Sequence, residues 1–270
     1  MQKFQLSEYL KISGIGSASG IVFTNQSLYI ISDNAGYLYQ YNLELDKLLK
    51  HPIIENPSEN IAKISKPDFE SITQKGSELH IFGSGSTQTR NKNIVFNIQN
   101  HEIQENDFSE MYQNIKNTIK ISDEELNIEG ALFHSEKLYL FQRGNGGNSK
   151  NGIIIISNNI HFQHIQLPKI KHVETSFTDA ILVHDKIYFL ASAEDTISTY
   201  DDGEVLGSII GCIDIETFKI EFTIQISNSH KFEGLTLFKN SESHLEFLLC
   251  EDNDTEQLET KIYKLITSKK

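Results

Sequence analysis

The most constraining feature of this chain is a weak internal repeat, because a period of about 50 residues admits few folds. Five segments share it. Ser19-Gly20-Ile21 is followed by Leu28-Tyr29-Ile30-Ile31, and Glu70-Ser71-Ile72 by Leu79-His80-Ile81-Phe82. Glu129-Gly130-Ala131 leads to Leu138-Tyr139-Leu140-Phe141, and Asp179-Ala180-Ile181 to Ile187-Tyr188-Phe189-Leu190. The fifth pairs Glu233-Gly234-Leu235 with Leu245-Glu246-Phe247-Leu248. Each unit opens with a polar, usually acidic residue, then a small one, then an apolar one. The apolar runs are short, β-branched and aromatic. Turn residues such as Asn25-Gln26 and Lys75-Gly76 split them, which excludes a helix.

Further strand-like stretches follow in the units, such as Tyr37 to Leu43 with Leu48 to Ile54, and Leu206 to Ile215 with Lys219 to Ile226. Four antiparallel strands in about 50 residues make one blade of a β-propeller. The C-terminal part supplies three strands of a last blade, ending with Leu258 to Ile266. Phe4 to Ile12 has the length and character of its missing outer strand, which would close the ring and cover an exposed edge. The expectation is therefore an all-β, five-bladed propeller as a single domain over 1–270, with six blades as the runner-up. Pro57, Pro67 and Pro168 fall between blades, where a missing ladder donor does least harm. Asp107 to Ile121 breaks the pattern. Met111, Ile115 and Ile119 recur at helical spacing, with Ser109 as a candidate N-cap. This is a helix inserted between the second and third blades, its apolar stripe expected to dock on the propeller.

Charge narrows the partners. Twenty-four basic against 37 acidic side chains give a net charge of −13, which argues against nucleic acid or an anionic membrane surface. No run of about 18 apolar residues suggests a membrane span. Residues 1–10 show no apolar leader, so a cytoplasmic protein is expected, with a trimmed secreted form left open. Cys212 and Cys250 read as strand thiols rather than a disulfide framework.

Antiparallel geometry decides which residues share a face. The start of each first strand and the end of each second strand lie together. That face collects Glu70, Glu129, Asp179 and Glu233 near the axis, and Asp33, Asp195 and Asp252 at the ends of second strands. Converging carboxylates need a cation, a raised pKa or separation by water. Oxygen ligands without cysteine favour Ca²⁺ or Mg²⁺ over zinc. The four axial acids are thus candidate metal ligands; the other reading makes each a latch accepting backbone N–H groups from the neighbouring blade. Of the basic residues only Arg90 and Arg143 are arginines, and both fall in loops on this face. They either hold an anionic ligand or pair with the channel acids. Gly83-Ser84-Gly85-Ser86 and Gly144-Asn145-Gly146-Gly147 follow strands without a P-loop lysine, so they read as blade loops. Asp252-Asn253-Asp254 lacks the spacing of an EF-hand. His172 and His230 precede first strands and border the same face. No nucleophile elbow or metalloprotease motif is present, so no catalytic residue is assigned.

Phe69-Glu70-Ser71-Ile72-Thr73, Ile128-Glu129-Gly130-Ala131 and Phe232-Glu233-Gly234-Leu235-Thr236 resemble the Glu-Gly-Leu/Ile motifs of the phytase-like, or esterase-like, bacterial propellers. The Ser32-Asp33-Asn34 strand end is similar too, while Ser19 stands where a first acid would be. The resemblance implies calcium and hydrolysis of phosphoesters or other esters, with Glu70, Glu129, Asp179 and Glu233 as axial ligands. Two functions follow from the sequence. One is a divalent-cation-dependent hydrolase acting at the polar central face. The other is a non-catalytic scaffold binding a small molecule or a protein there.

Overall fold

The computed structural model describes residues 4–144, 150–196, 203–252 and 257–269. Five four-stranded antiparallel sheets stand around an axis. The first blade runs Ala18–Thr24, Ser27–Ser32, Tyr37–Asn42 and Lys47–Pro52. The second runs Phe69–Lys75, Glu78–Gly83, Lys92–Asn97 and Ile103–Asp107. Ile128–His134, Lys137–Gln142, Gly152–Ile156 and Ile160–His164 form the third. Ser176–Val183, Lys186–Asp195, Glu204–Asp214 and Ile220–Ser227 form the fourth. The fifth takes Phe232–Asn240, His244–Glu251 and Glu259–Ser268 from the C-terminus, and its outer strand is Phe4–Ser13. Phe4 pairs with Thr267 and Ser13 with Glu259, so the ring is closed by the N-terminal strand as expected, with five blades rather than six.

Five hydrophobic clusters fill the five gaps between blades. Tyr29, Phe69 and Ile81 pack between the first and second blades; Phe141, Phe177 and Phe189 between the third and fourth. Cys250, Ile262, Ile12 and Ile21 seal the fifth against the first. Each blade is covered on both faces, which is why second strands such as Ser27–Ser32 are buried throughout and read as continuous apolar runs. Both cysteines are buried and unpaired with each other. Tight hairpins join first and second strands on the far face. Asn25 and Gln26, like Ser135 and Glu136, have φ between 48° and 60° at both central positions, the conformation that matches strand twist.

The inserted helix is Ser109–Ile119. Phe108, not Ser109, is its N-cap, and Asp107 supplies the missing acceptor by taking the Ser109 N–H at 2.8 Å. Its stripe docks as expected. Tyr112 and Ile115 pack with Phe82, Leu126 and Ile154, and the Tyr112 hydroxyl donates to the Gly83 carbonyl at 2.7 Å.

The repeated triplet has a physical role. Each innermost strand carries a β-bulge near the axis, at Ser19, Glu70, Glu129, Thr178 and Glu233. The next residue faces the neighbouring blade at very short range. A Cβ on Gly130 would lie 3.0 Å from the Ala180 nitrogen; one on Gly234 would lie 2.5 Å from the Cys250 sulfur and 2.9 Å from the Ile21 nitrogen. Gly234→Ala is therefore expected to cost about 1–3 kcal/mol by overpacking, seen as a lower urea midpoint at unchanged slope.

Candidate functional site

The bulges turn one side chain per blade toward the axis. The register identifies them as Ser19, Glu70, Glu129, Thr178 and Glu233. Thr178, not Asp179, is therefore the fourth blade's counterpart of Glu129. The two hydroxyls are latches: Ser19 donates to the Phe69 carbonyl at 2.5 Å, and Thr178 to the Phe232 carbonyl at 2.6 Å. Asp179 takes the place of the small residue. Its carboxylate accepts the Ala180 N–H at 2.7 Å and, across the blade gap, the Leu235 N–H at 2.7 Å. Burial raises its pKa well above the usual range, and the backbone donors only partly oppose that.

Around the three axial glutamates lies a second layer. It comes from the ends of second strands and from residues just ahead of first strands. Backbone bonds within and between blades fix it: Ser84 N–H to the Asp68 carbonyl inside the second blade, and Asp68 N–H to the Asp33 carbonyl and Ile128 N–H to the Ser84 carbonyl between blades, each at 2.9 Å. Two charged arcs result. In the third to fifth blades the signs alternate. Glu129 accepts from Asn127 at 2.7 Å and from Arg143 at 3.0 Å; Arg143 reaches Glu194 at 2.9 Å. Lys231 then lies 3.0 Å from Glu194, 2.8 Å from Glu233 and 3.9 Å from Asp252. Burial works against the Glu194 carboxylate, yet Arg143 and Lys231 bring its pKa down to about 2. In the first two blades Lys66 bridges Asp33 and Asp68. Arg90 holds Asp68 at 2.8 Å, the Ser86 hydroxyl at 2.7 Å and the Lys63 carbonyl at 3.1 Å. Both arginines thus make internal ion pairs.

The arcs meet where like charges face each other. Glu70 is half-buried and makes no hydrogen bond among the described residues. Burial, then Asp68, Glu129 and Glu233, push its pKa well above the usual carboxylate range. Burial raises Glu233 well above that range too, against Lys231, and takes Asp33 to about 6 despite Lys66. One Asp33 oxygen is buried without a hydrogen-bond partner among the described residues. Asp33, Asp68 and Glu70 each bring an oxygen to a point where all three lie within 4.8 Å of one another.

This placement tests the donor sets. Glu129 and Glu233 are already bound to Arg143 and Lys231, and Asp179 to two backbone N–H groups, so those three do not converge on a shared open point. Asp33, Asp68 and Glu70 do converge, with the Lys66 ammonium beside two of them. Asp195 lies outside the layer, half-exposed and 3.2 Å from an exposed His172. Asp252 faces Lys231 and Asp33. Gly85 adopts φ +78°, the loop role expected for its segment. Residues 145–147 and 253–254 lie outside the described residues. Glu194, which the sequence places with Asp195 at a second-strand end on this face, enters the layer in place of Asp195, whereas Asp68, Lys66 and Lys231 were not singled out by their residue type. The signal that could have found these three is their place one to four residues before a repeat triplet.

Two stability measurements check these roles. Burial and the neighbouring acids raise the Glu70 carboxyl well above the 4.5 of an ordinary glutamic acid, so the folded chain binds this proton more tightly than the unfolded chain does. Stability is therefore lost as pH rises above about 4.5. Glu70→Gln should melt above the wild type at pH 7, and the difference should vanish below about pH 4. Arg143→Met leaves the buried Glu129 without its cation and Glu194 with Lys231 alone, and should cost about 3–5 kcal/mol in urea unfolding.

Comparison with curated proteins gives no match. Among solved structures the chain resembles the major allergen Mala s 1 of Malassezia sympodialis, at 10% identity and a TM-score of 0.55, over 94% of this chain and 95% of that one. It also resembles an exo-1,5-alpha-L-arabinanase from a bovine ruminal metagenomic library, at 8% identity and a TM-score of 0.51, over 93% and 94% of the two chains. Such identities speak to the fold alone. A family model matches residues 14–266, and the chain belongs to that propeller family, the family of unknown function DUF6929.

Proposed function

We propose that this protein is a ligand-binding propeller whose central polar face takes a positively charged partner, a divalent ion or a small molecule carrying an amine, between its first and second blades. One observation carries the reading. Asp33, Asp68 and Glu70 converge within 4.8 Å, and Glu70 together with one Asp33 oxygen accepts no hydrogen bond among the described residues. A bound cation would relieve the repulsion and burial that raise the Glu70 pKa. Lys66 and Arg90 supply part of the counter-charge already, so the site is built for one further positive group rather than for an anion.

The same convergence favours a second reading, a Ca²⁺- or Mg²⁺-dependent hydrolase of esters or phosphoesters. Asp33, Asp68 and Glu70 would hold the ion, which would polarise the substrate and lower the pKa of a bound water. This is where the phytase-like resemblance of Glu70 and its segment finds its support.

Thermal melting of EDTA-treated protein separates the outcomes. Ca²⁺, Mg²⁺ and a series of small amines are titrated in turn, because a ligand that binds only the folded chain raises the melting temperature. A rise that Glu70→Gln and Asp33→Asn remove supports the reading. No rise with any of them overturns it. Hydrolysis of 4-nitrophenyl phosphate that follows the ion and is lost in both variants would establish the second reading.

A further inference from the structure

His230 sits on the rim of the same face, between the fourth blade's outer strand and the fifth blade's first strand. Its backbone is held at both ends. Its N–H donates to the Ser227 hydroxyl at 2.9 Å, and its carbonyl accepts from the Ser208 hydroxyl at 2.7 Å. Its ring lies against Phe232, centroids 5.4 Å apart and 27° from parallel, and against Tyr263 at 5.2 Å. Nδ1 lies 2.5 Å from one Glu251 oxygen, and the other Glu251 oxygen accepts the Tyr263 hydroxyl at 2.9 Å.

A carboxylate offers only lone pairs, so the ring nitrogen facing it carries the hydrogen. That leaves Nε2 with a free lone pair. Nε2 has no hydrogen-bond partner among the described residues, and the side chain is 37% exposed. The other acid-paired histidines differ. His244 uses both nitrogens, on Ser241 and Glu246; His80 and His172 meet their acids through Nε2. His230 meets its acid through Nδ1, lies against two aromatic rings and leaves its outer nitrogen open.

We propose that His230 is a general base on the polar rim, positioned by Glu251, acting on uncharged carboxylic esters. Water attacks the ester carbonyl carbon while its proton passes to Nε2. The tetrahedral adduct collapses, the bond to the leaving oxygen breaks, and the proton moves from Nε2 to that oxygen. Acid and alcohol leave, and the imidazole is restored. Glu251 holds the tautomer and steadies the imidazolium while it exists. The acidic face repels anions, which favours a neutral ester over a phosphoester. No residue of this pair belongs to the carboxylate group of the cation site, so the two readings can fail separately.

The test is hydrolysis of 4-nitrophenyl acetate in EDTA, which keeps the cation reading out of the measurement. The wild type is compared with His230→Gln, Glu251→Gln and His172→Gln. His230→Gln should lose roughly 10²-fold of the protein-dependent rate and His172→Gln should keep it. Glu251→Gln should fall between, with nitrogen-15 shifts showing a mixture of His230 tautomers that a merely structural contact would not produce. If His230→Gln folds poorly, carbethoxylation of the wild type by diethyl pyrocarbonate reads the same nitrogen. Loss of rate should then track modification of His230 in peptide mass spectra. A wild-type rate in His230→Gln, loss of rate without His230 modification, or no rate above that of free imidazole overturns the proposal.

Discussion

The residue after each bulge must fit against the neighbouring blade: Gly20, Ser71, Gly130 and Gly234 do so by being small, and Asp179 by accepting the Leu235 N–H. This constraint sets the repeated triplet. Gly130 packs on the Asp179 backbone and Gly234 on Gly20 and Ile21, at distances that leave no room for a Cβ. The bulge just before each small residue is the second half of the same solution. It turns one polar side chain per blade onto the axis instead of into a neighbour. A fold pinched in this way necessarily gathers its polar residues at one end. The position of the candidate site is thus a consequence of closure.

The gathered charges then obey the cost of burial. A carboxylate removed from water must be paired, hydrogen-bonded or protonated. The three later blades use pairing, with Glu129, Arg143, Glu194, Lys231 and Glu233 in alternating sign. Ser19 and Thr178 avoid the problem by placing hydroxyls where glutamates stand elsewhere, and the Asp179 carboxyl is hydrogen-bonded by two backbone N–H groups. Only the second blade leaves an axial acid with none of these arrangements. Burial and the surrounding carboxylates raise its pKa instead.

The repeat made the blades legible, because its period, its two-residue turns and its buried second strands each report a local geometry. The N-terminal strand was legible from length alone. The fourth blade was read one residue out of register because the acid, not the spacing, guided the alignment. Thr178 stands nine residues before Ile187, as Glu129 stands nine before Leu138, whereas Asp179 stands eight before its run. A hydroxyl can serve as a latch as well as a carboxylate, so residue type misled where distance along the strand did not. Lys66, Asp68 and Lys231 were missed for another reason. They belong to connections between blades, where residue type says nothing and only a place just ahead of a repeat triplet marks a side chain that folds back over the axis. The cap of the inserted helix likewise depends on Asp107 reaching Ser109, a geometry that the apolar stripe does not encode.

Stability alone does not explain the charged layer. A buried ion pair is often matched or exceeded in stability by apolar side chains of similar volume. The blade gaps of this protein show that the chain can build such packing, with aromatic and aliphatic clusters in all five. The far face closes with tight turns such as Asn25-Gln26 and Ser135-Glu136, and its ion pairs, such as Lys75 with Glu136, are exposed rather than buried. What distinguishes the polar face is a set of groups held in fixed positions with a few valences unspent: the Glu70 carboxylate, one oxygen of Asp33 and the outer nitrogen of His230. Asp68, bound by Lys66 and Arg90, stands beside the open Asp33 and Glu70 oxygens, and Glu251 beside His230, and such fixed partners are what a preorganised binding surface requires. Rigid partners fix the direction of the open lone pair, so an incoming ligand orders little that was free before.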